Sequence, residues 1–373
     1  MKIFPQLTVL CLFVSSGLSA QYSANDHIFR AQQWMDIIQP GSAEAELTAA
    51  LALNPNEQRA YFNRGLCRLD LDNVAGARED FLRVVQLNPA DAEAWLLLGD
   101  CYQFLLDYPQ AEAAYNRSYQ ERPVAETLLA RADLFLQSDR LRAAERDYRI
   151  ILNTTPNHAG AHRGLGDLAL LAADARRALQ HYDRALRADA RDASTWYNRA
   201  QANLQLQQKR AAATDLDRAL EIAPDNADAL ALRALCRLES DSYRAETDAR
   251  RARRLDKENG MSWYCLALLE RGRGNTKTAL QHLDMSLLCE PNNSDFRYER
   301  GALAYNFGYY EAARLDWQQV LEQQPDHALA QERMQHLRGM LSDRLEMANS
   351  VPVEMEQPLA GSSEEFVVDI FEH

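Results

Sequence analysis

The sequence predicts an all-α solenoid of nine consecutive helix pairs, and two features of the chain predict it. Prolines recur at intervals of 33 or 34 residues, or about twice that, through most of the chain. A fixed period in this range is typical of stacked repeats, in which each unit packs on its neighbours. Small and aromatic residues fall into register with the same period. The prolines of the period are Pro55, Pro89, Pro123, Pro156, Pro224, Pro291 and Pro325.

The second feature is a small slot, a glycine or alanine that stands 24 residues before the proline position of each unit. Small side chains let two helix backbones approach closely, and large side chains at helical spacing fill the gap to the next unit. Each unit is therefore predicted to form two antiparallel helices, and the proline ends the second one. The small slot holds Ala31, Gly65, Gly99, Ala132, Gly166, Ala200, Ala234, Ala267 and Gly301. An aromatic residue falls 8 before the proline position at Phe81, Tyr115, Tyr148, Tyr182 and Trp317.

Composition excludes several classes of protein. The chain has 373 residues, of which 47% are hydrophobic and 25% are charged, as in an ordinary protein with a buried core. These fractions exclude a fully disordered chain, a collagen-like chain and a multi-span membrane protein. The net charge of −13 is opposite in sign to that of a general nucleic-acid binder, so no nucleic-acid partner is expected.

Four segments are predicted along the chain. Residues 1–20 combine a lysine, an apolar run and small residues before Gln21, which is typical of a cleaved secretory signal peptide. Residues 21–325 hold the nine repeats, and residues 326–344 read as one more amphipathic helix that caps the end of the stack. Residues 345–373 are acidic, lack lysine and arginine, and are expected to be mostly disordered. No membrane-spanning segment is expected after signal cleavage.

One unit carries the pattern of a known family in full. The segment from Ala92 to Pro123 has the spacing of Trp, Leu-Gly, Tyr, Ala, Tyr and Pro that resembles the tetratricopeptide repeat family. The resemblance covers about nine units, of which the fifth has Ala190 and the seventh has Lys257 in place of proline. It implies a right-handed superhelix whose first helices line a concave groove that binds peptide segments of partner proteins.

The resemblance also allows one test for a known ligand class. Some members hold chaperone C-termini in a carboxylate clamp of Lys, Asn and Arg residues on three consecutive first helices. Asn63 and Asn198 match the middle element, but the flanking units lack the required cations. The clamp is incomplete at both places, which disfavours binding of chaperone tails.

No catalytic motif is present, so the chain is predicted not to be an enzyme and to need no cofactor. A nucleophile elbow, a P-loop, an HExxH motif and a dinucleotide fingerprint are all missing from the sequence. The five cysteines after the signal segment form no CxxC pair, which leaves a zinc or redox site without support. Cys67, Cys101 and Cys236 share one repeat position and are expected to act as small buried apolar residues without a Cys67–Cys101 disulfide. A pairing of Cys236 with Cys265 stays open.

Two clusters have both a structural and a functional interpretation. His158 and His162 are spaced for one helix face, as metal ligands could be, but a third ligand is missing. His162 also stands where other units have tryptophan, which favours a packed or capping histidine. The basic run from Arg250 to Arg254 is either a solvated helix face or a contact for an anion or lipid headgroup.

The predicted binding site lies on the inward positions of the first helices. Asp100, Asp133 and Asp167 occupy the same position in three consecutive units, where they would attract a basic segment. Tyrosines farther along would add contact area at low entropic cost. The alternative is that the aspartates are merely solvated and the tyrosines pack between units. The second group of predicted binding residues comprises Tyr197, Tyr264, Arg271, Asp295, Tyr298 and Tyr305.

The sequence thus predicts a non-catalytic scaffold or adaptor that binds an extended segment of a protein partner in a concave groove. The alternative function is a peptide- or glycan-handling accessory subunit of a cell-envelope assembly or secretion machine. The signal segment predicts export to the periplasm or the cell exterior. Partner identity and oligomeric state do not follow from the sequence.

Overall fold

The protein is all-α in the part of the chain that the structure describes. A computed structural model describes residues 22–350, in which 19 α-helices are joined by short turns and no strand occurs. The predicted signal segment and the tail beyond residue 350 lie outside the described residues. The chain divides into two compact units, with the boundary between Gln208 and Lys209.

The first unit contains five complete helix pairs and one further helix. Odd-numbered helices are the first helices of the predicted repeats, and even-numbered helices are the second. Each helix packs on the next one along the chain, and α5, α7, α9 and α11 also contact one another in order. The helices are α1 (Ala24–Asp36), α2 (Pro40–Leu53), α3 (Gln58–Asp70), α4 (Val74–Leu87), α5 (Ala92–Phe104), α6 (Tyr108–Glu121), α7 (Ala125–Gln137), α8 (Leu141–Thr154), α9 (Ala159–Leu171), α10 (Ala175–Ala188) and α11 (Ala193–Gln205).

The second unit continues the same pattern and ends with a single long helix. Its first α-helix of a repeat, α13, is two residues shorter than the other first helices, and the turn that follows is one residue longer, so the seventh repeat loses its residue at the end of α13. The capping helix α19 packs on α18 and extends to Ser350, six residues beyond its predicted end. The helices are α12 (Lys209–Ile222), α13 (Ala227–Arg237), α14 (Ser242–Leu255), α15 (Gly260–Gly272), α16 (Thr276–Cys289), α17 (Ser294–Asn306), α18 (Tyr310–Gln323) and α19 (Ala328–Ser350).

The first six residues of the predicted acidic tail, 345–350, are helical, and the rest of that tail lies outside the described residues. This segment reads Leu-Glu-Met-Ala-Asn-Ser and consists largely of good helix formers, which prolong α19.

Polar side chains start most of the helices. Asp91, Asp192 and Asn259 each accept a hydrogen bond from a backbone amide in the first turn of a first helix. Asn73 and Asp107 cap second helices in the same way. Such caps satisfy amides that have no partner inside the helix, and each contributes about 1 kcal/mol.

The small slot sets how closely the two helices of a repeat approach. A Cβ atom built on Gly65 would lie 2.8 Å from the ring of Phe81, and the fit of Gly99 against Tyr115 is tighter still. Phe81 and Tyr115 are fully buried, as the sequence pattern predicted for these aromatic positions. Large and small side chains thus interlock across each helix pair.

A buried ion pair also recurs, and it does not follow from the apolar period of the sequence. Arg131 donates two hydrogen bonds, of 2.7 and 2.8 Å, to Asp147 on the second helix of its repeat. It donates a third, of 2.6 Å, to Asn116 on the second helix of the preceding repeat. The guanidinium group therefore joins three helices with fixed geometry. Equivalent pairs are Arg64–Asp80, Arg233–Asp248 and Arg300–Asp316.

The cysteines behave as apolar packing residues. Cys67, Cys101 and Cys236 are buried, which confirms the prediction for their shared position. Burial raises the pKa of Cys67 to about 11 and that of Cys101 to about 12, so both thiols stay protonated at neutral pH. Cys236 and Cys265 are free thiols.

The interlock predicts opposite effects for two glycine-to-alanine changes. Gly99→Ala should lower the free energy of unfolding by about 1–2 kcal/mol, because the added methyl group overlaps the ring of Tyr115. Gly41→Ala, at a helical glycine with no atom within 4 Å of the added group, should raise it by a few tenths to about 1 kcal/mol. Urea unfolding of both variants measures the difference. Equal stabilisation by both changes would show that the small slot is not limited by space.

Candidate functional site

The three predicted binding aspartates lie next to the small slot and are held by buried tyrosines. We call Asp100, Asp133 and Asp167 the acidic row. The hydroxyl of Tyr115 donates to Asp100 Oδ1 at 2.7 Å, and the hydroxyl of Tyr148 donates to Asp133 Oδ1 at 2.6 Å. Tyr182 makes the same bond to Asp167 at 2.7 Å. These carboxylates are therefore fixed by the second helix of their own repeat.

The carboxylates of the acidic row are accessible to solvent but are also partly desolvated by the protein around them. Asp100 is exposed, while Asp133 and Asp167 are half-buried. Burial by surrounding protein atoms is the largest influence on all three, and it raises the pKa of each carboxyl above its ordinary value. The hydrogen bond from each tyrosine opposes this shift. An exposed carboxylate that is still poorly hydrated is well suited to attract a cation.

One arginine divides the acidic row into unequal members. Arg163 on α9 lowers the pKa of Asp133 and of Asp167 by its charge, although burial outweighs it in both. Its Nη1 donates to Asp192 Oδ2 at 2.9 Å, which fixes the guanidinium group. Asp100 has no cation among the described groups that shift its pKa. The three carboxylates share one repeat position but differ in the charges that surround them.

Neighbouring first helices of the first unit enclose two open cavities. The larger, about 570 Å³, lies between α5 and α7 and is lined by Asp100 and Asp133 together with Phe104 and Leu106. The second, about 500 Å³, lies between α9 and α11 and is lined by the third member of the row, by glutamines and by leucines. We call the surface formed by α5, α7, α9 and α11 the first-helix face. It combines carboxylate, amide and apolar groups.

Two side-chain amides that line the second cavity donate hydrogen bonds to other side chains of the protein. Asn198 Nδ2 donates to Asp167 Oδ1 at 2.8 Å, so this carboxylate has two neutral donors as well as the charge of Arg163. Tyr197 on the same helix is half-buried, and its hydroxyl accepts from Gln201 Nε2 at 3.3 Å. Tyr197 and Gln201 both belong to the first unit.

The predicted tyrosines of the second unit are packing residues to a large extent. Tyr264 stacks on Phe296 of the next repeat with ring centres 4.7 Å apart. Tyr298 packs against His327 with the rings tilted by 30° and their centres 5.2 Å apart. Their rings are half-buried between repeats rather than free in a groove. The packing of both rings favours the alternative in which the tyrosines pack between units, and their contact with a partner stays a prediction.

The remaining predicted residues are placed differently from one another. Tyr305 is half-buried against α19, where its hydroxyl lies 3.0 Å from His336 Nδ1. Asp295 is exposed at the start of α17. Arg271 is exposed and forms an ion pair with Glu299 of the next repeat. Arg271 and Tyr264 both line a cavity of about 490 Å³ within the second unit.

The histidines predicted as a packed or capping pair have those roles. His158 Nδ1 accepts from the amide of Ala161 at 3.2 Å and caps α9. His162 is buried, and its Nε2 lies 3.0 Å from the carbonyl oxygen of Pro156. Trp95 donates to the equivalent carbonyl of Pro89 at 2.9 Å, so the histidine performs the role that tryptophan has elsewhere.

This contact fixes the tautomer of His162. A carbonyl oxygen can only accept, so Nε2 carries the proton and Nδ1 is the acceptor. His181 Nδ1 lies 3.2 Å from His162 Nδ1 and therefore acts as the donor. Burial is the main cause that lowers the pKa of both rings, and the pKa of His181 falls to about 4. The surrounding cations that act in the same direction are Arg149, Arg177 and Arg184.

The basic run on α14 is engaged by neighbouring side chains. Arg250 pairs with Glu246, and Arg251 donates to Asp225 at 2.9 Å. The guanidinium carbon of Arg253 lies 4.7 Å from the ring centre of Trp263. These intramolecular contacts support a structural role for the run.

The described part of the chain contains no candidate metal site and no candidate membrane-spanning helix. No group of three or more histidine, cysteine, aspartate or glutamate side chains there is arranged to hold a metal ion. No helix in residues 22–350 combines the length and apolar character that crossing a membrane requires.

The repeats match the models of a known family. Two models described as tetratricopeptide repeat match residues 39–92, 68–126 and 129–193 in one case and residues 165–237 in the other. Together the matches cover more than half of the chain. The chain belongs to the tetratricopeptide repeat family, whose members are scaffolds for protein interaction.

Solved structures show the same fold. The APC/C hetero-tetramer Cut9–Hcn1 has a TM-score of 0.58 and 14% identity, and the alignment covers 84% of this chain and 76% of that one. A tetratricopeptide repeat protein from Parabacteroides merdae has a TM-score of 0.56 and 20% identity, with 66% and 98% covered. At these identities the likeness establishes the fold alone.

A human protein is similar in sequence over part of its length. The chain is 27% identical over 228 residues to the protein O-mannosyl-transferase TMTC3 of Homo sapiens. The matched region covers 56% of this chain and 25% of that protein, so the chain spans about a quarter of this relative.

The raised pKa of the acidic row predicts that these carboxylates reduce stability. A folded-state pKa above the unfolded value means that stability is lost as the pH rises through it. Asp133→Asn should therefore raise the free energy of unfolding at pH 7 by up to about 1 kcal/mol. Asp100→Asn should raise it by only about a few tenths of a kcal/mol, because this carboxylate is exposed and solvent screens it. Both gains should shrink towards pH 4. Asp147→Asn is the control, since it breaks a buried ion pair and should cost about 3 kcal/mol. Losses of stability in all three variants would show that the acidic row does not destabilise the fold.

The histidine pair predicts a loss of stability in mild acid. Because the folded-state pKa of His181 lies below 6.5, the unfolded chain gains protons that the folded chain does not as the pH falls from about 6.5 towards about 4. The free energy of unfolding should drop between pH 7.5 and pH 5 by on the order of 1 kcal/mol more in wild type than in His181→Gln. His158→Asn, which preserves a capping acceptor, should keep the wild-type drop. Urea unfolding at both pH values measures it, and equal drops in wild type and His181→Gln would exclude the pair as the cause.

Proposed function

We propose that the protein is a non-catalytic scaffold that binds an extended, basic segment of a partner protein along the first-helix face. The observation that carries the proposal is the larger cavity between α5 and α7, where two partly desolvated carboxylates stand beside exposed apolar side chains. Carboxylates in such a setting favour cations over neutral groups. The family supports a protein partner, and the charge of the face supports a basic one.

The second unit has a smaller part in this proposal. Its cavity beside Tyr264 and Arg271 offers mixed polar and apolar contact, but the ring of Tyr264 is held by Phe296. Substituting such a tyrosine would disturb repeat packing as well as any contact with a partner. The aspartates are therefore the cleaner test of binding.

We also propose that the protein acts outside the cytoplasm. The support is the signal-like sequence of residues 1–20, with its lysine, apolar run and small residues. The test is expression of the full chain in a secreting host, followed by determination of the mature N-terminus. A new N-terminus near Gln21 on exported protein supports the proposal, and an intact Met1 on protein kept in the cytoplasm contradicts it.

The binding proposal is tested with a library of random decapeptides displayed on phage and selected against the full chain. Enriched peptides should carry lysine or arginine. Changing Asp100, Asp133 and Asp167 together to asparagine should weaken their binding by roughly tenfold, since each partly exposed ion pair contributes up to about 1 kcal/mol. The dependence of binding on salt should also flatten, because fewer charges take part. Fluorescence anisotropy of labelled peptides measures both effects.

A matched change on another surface provides the control. Arg250→Gln/Arg251→Gln alters one exposed and one half-buried charge on the second helix of the seventh repeat and should leave the affinity unchanged. If the arginine variant abolishes binding while the aspartate variant binds like wild type, the first-helix face is not the binding surface.

A further inference from the structure

The three carboxylates of the acidic row differ in how well the protein already compensates them. Asp167 accepts hydrogen bonds from Tyr182 and Asn198 and feels the charge of Arg163. Asp133 accepts from Tyr148 and feels the same arginine. Asp100 accepts from Tyr115 alone, and within the described residues no cation offsets its desolvation. An external cation would therefore stabilise the carboxylate of Asp100 more than the other two.

Apolar side chains stand beside this carboxylate and are open to solvent. Phe104 is 72% exposed and Leu106 is 71% exposed, and both line the cavity that Asp100 and Asp133 line. Leu105 between them is also exposed, so three consecutive apolar residues face solvent here, and a contiguous exposed apolar patch is typical of a surface that binds a partner. The cavity thus offers an acidic part and an apolar rim within about 570 Å³, which is room for one long side chain and part of its neighbour.

The backbone at the rim accepts glycine in place of leucine. Leu106 has a φ of 61°, in the left-handed region that favours glycine. The equivalent turn residue is Gly274 or Gly308 in the eighth and ninth repeats, and six described repeats, the third among them, have a residue other than glycine there. Glycine at position 106 would therefore remove the apolar side chain without straining the turn.

We propose that the cavity between α5 and α7 is a pocket for a single arginine side chain of the partner, with a large apolar residue next to it in the partner sequence. The guanidinium group binds Asp100, and its flat face and methylene stem lie along Phe104 and Leu106. Arginine fits better than lysine, because a planar guanidinium group can stack on an aromatic ring while it donates two hydrogen bonds to a carboxylate. This inference rests on the proposed function and narrows it from a basic segment to one anchored residue.

The inference predicts that the two cavities of the first unit are not equivalent. The cavity between α9 and α11 holds a carboxylate that already has two donors and a nearby arginine, so an added cation gains less there. A partner segment should therefore depend on one arginine at one position. A run of basic residues along the whole face is not required.

The experiment uses the full chain and a set of labelled decapeptides, each with one arginine flanked by leucine in a Gly-Ser background. In parallel peptides the arginine is replaced by lysine, citrulline or glutamine. Asp100→Asn should weaken binding of the arginine peptide by about fivefold and Asp167→Asn by no more than about twofold. Asp139→Asn, at an exposed turn outside the cavity, should have no effect. The citrulline peptide, which keeps the shape without the charge, should bind as weakly to wild type as the arginine peptide binds to Asp100→Asn.

The apolar rim is tested by Leu106→Gly, which removes the side chain at a position where the backbone suits glycine. This variant should bind the arginine peptide several-fold more weakly while its thermal unfolding midpoint stays the same or rises. Binding to wild type should also strengthen as the pH rises through the acid range and the Asp100 carboxyl loses its proton, and this dependence should weaken in Asp100→Asn.

The outcomes separate this inference from the proposed function. Equal weakening by Asp100→Asn and Asp167→Asn would retain an acidic binding face and overturn the single pocket. Equal affinity for the arginine and lysine peptides would overturn the stacking on Phe104. Equal affinity for the arginine and citrulline peptides, with no response to any aspartate variant, would overturn both the pocket and the proposed function.

Discussion

The close approach of two helices at the small slot is the constraint on which the rest of each repeat depends. Glycine or alanine at this slot lets an aromatic ring of the second helix pack directly against the backbone of the first. In the third, fourth and fifth repeats that ring is tyrosine, and its hydroxyl passes beyond the slot to the next residue of the first helix. In each of these repeats the next residue is an aspartate. Packing in the core therefore orients the carboxylates of the acidic row.

The same geometry links core stability to binding chemistry. A tyrosine hydroxyl that is buried needs a partner, and the aspartate supplies it. The aspartate in turn is held against protein and loses water, which raises its pKa and makes it a less stable anion. A carboxylate in this setting lowers the free energy of unfolding while no cation is bound. Binding of a cation stabilises the carboxylate and removes that cost. Arg163 relieves that cost for Asp133 and Asp167, and it leaves Asp100 as the member with the most to gain from a partner.

The recurring buried ion pairs between an arginine and an aspartate, here called the arginine clamp, hold neighbouring repeats in register. Arg131 joins the second helix of its own repeat to the second helix of the preceding one. The signal for this clamp is present in the sequence, because Arg64, Arg131, Arg233 and Arg300 each stand immediately before the small slot. Charged residues that precede the slots are thus a usable sequence signal for the clamp. The apolar periodicity alone does not predict that these arginines are buried, because charged residues lie outside the apolar pattern.

The sequence by itself determined the helix pairs, the small slot, the buried aromatic residues and the burial of the shared cysteine position, because each follows from periodicity and side-chain volume. It also placed the acidic row on one face. Only the tertiary structure decided which groups surround each carboxylate, that Tyr264 and Tyr298 pack between repeats, and that Arg163 divides the row. The physical reason is that a repeat pattern fixes where a residue lies within its unit. The charge and the solvation that the residue experiences come from side chains of adjacent units, whose reach and direction the period does not specify.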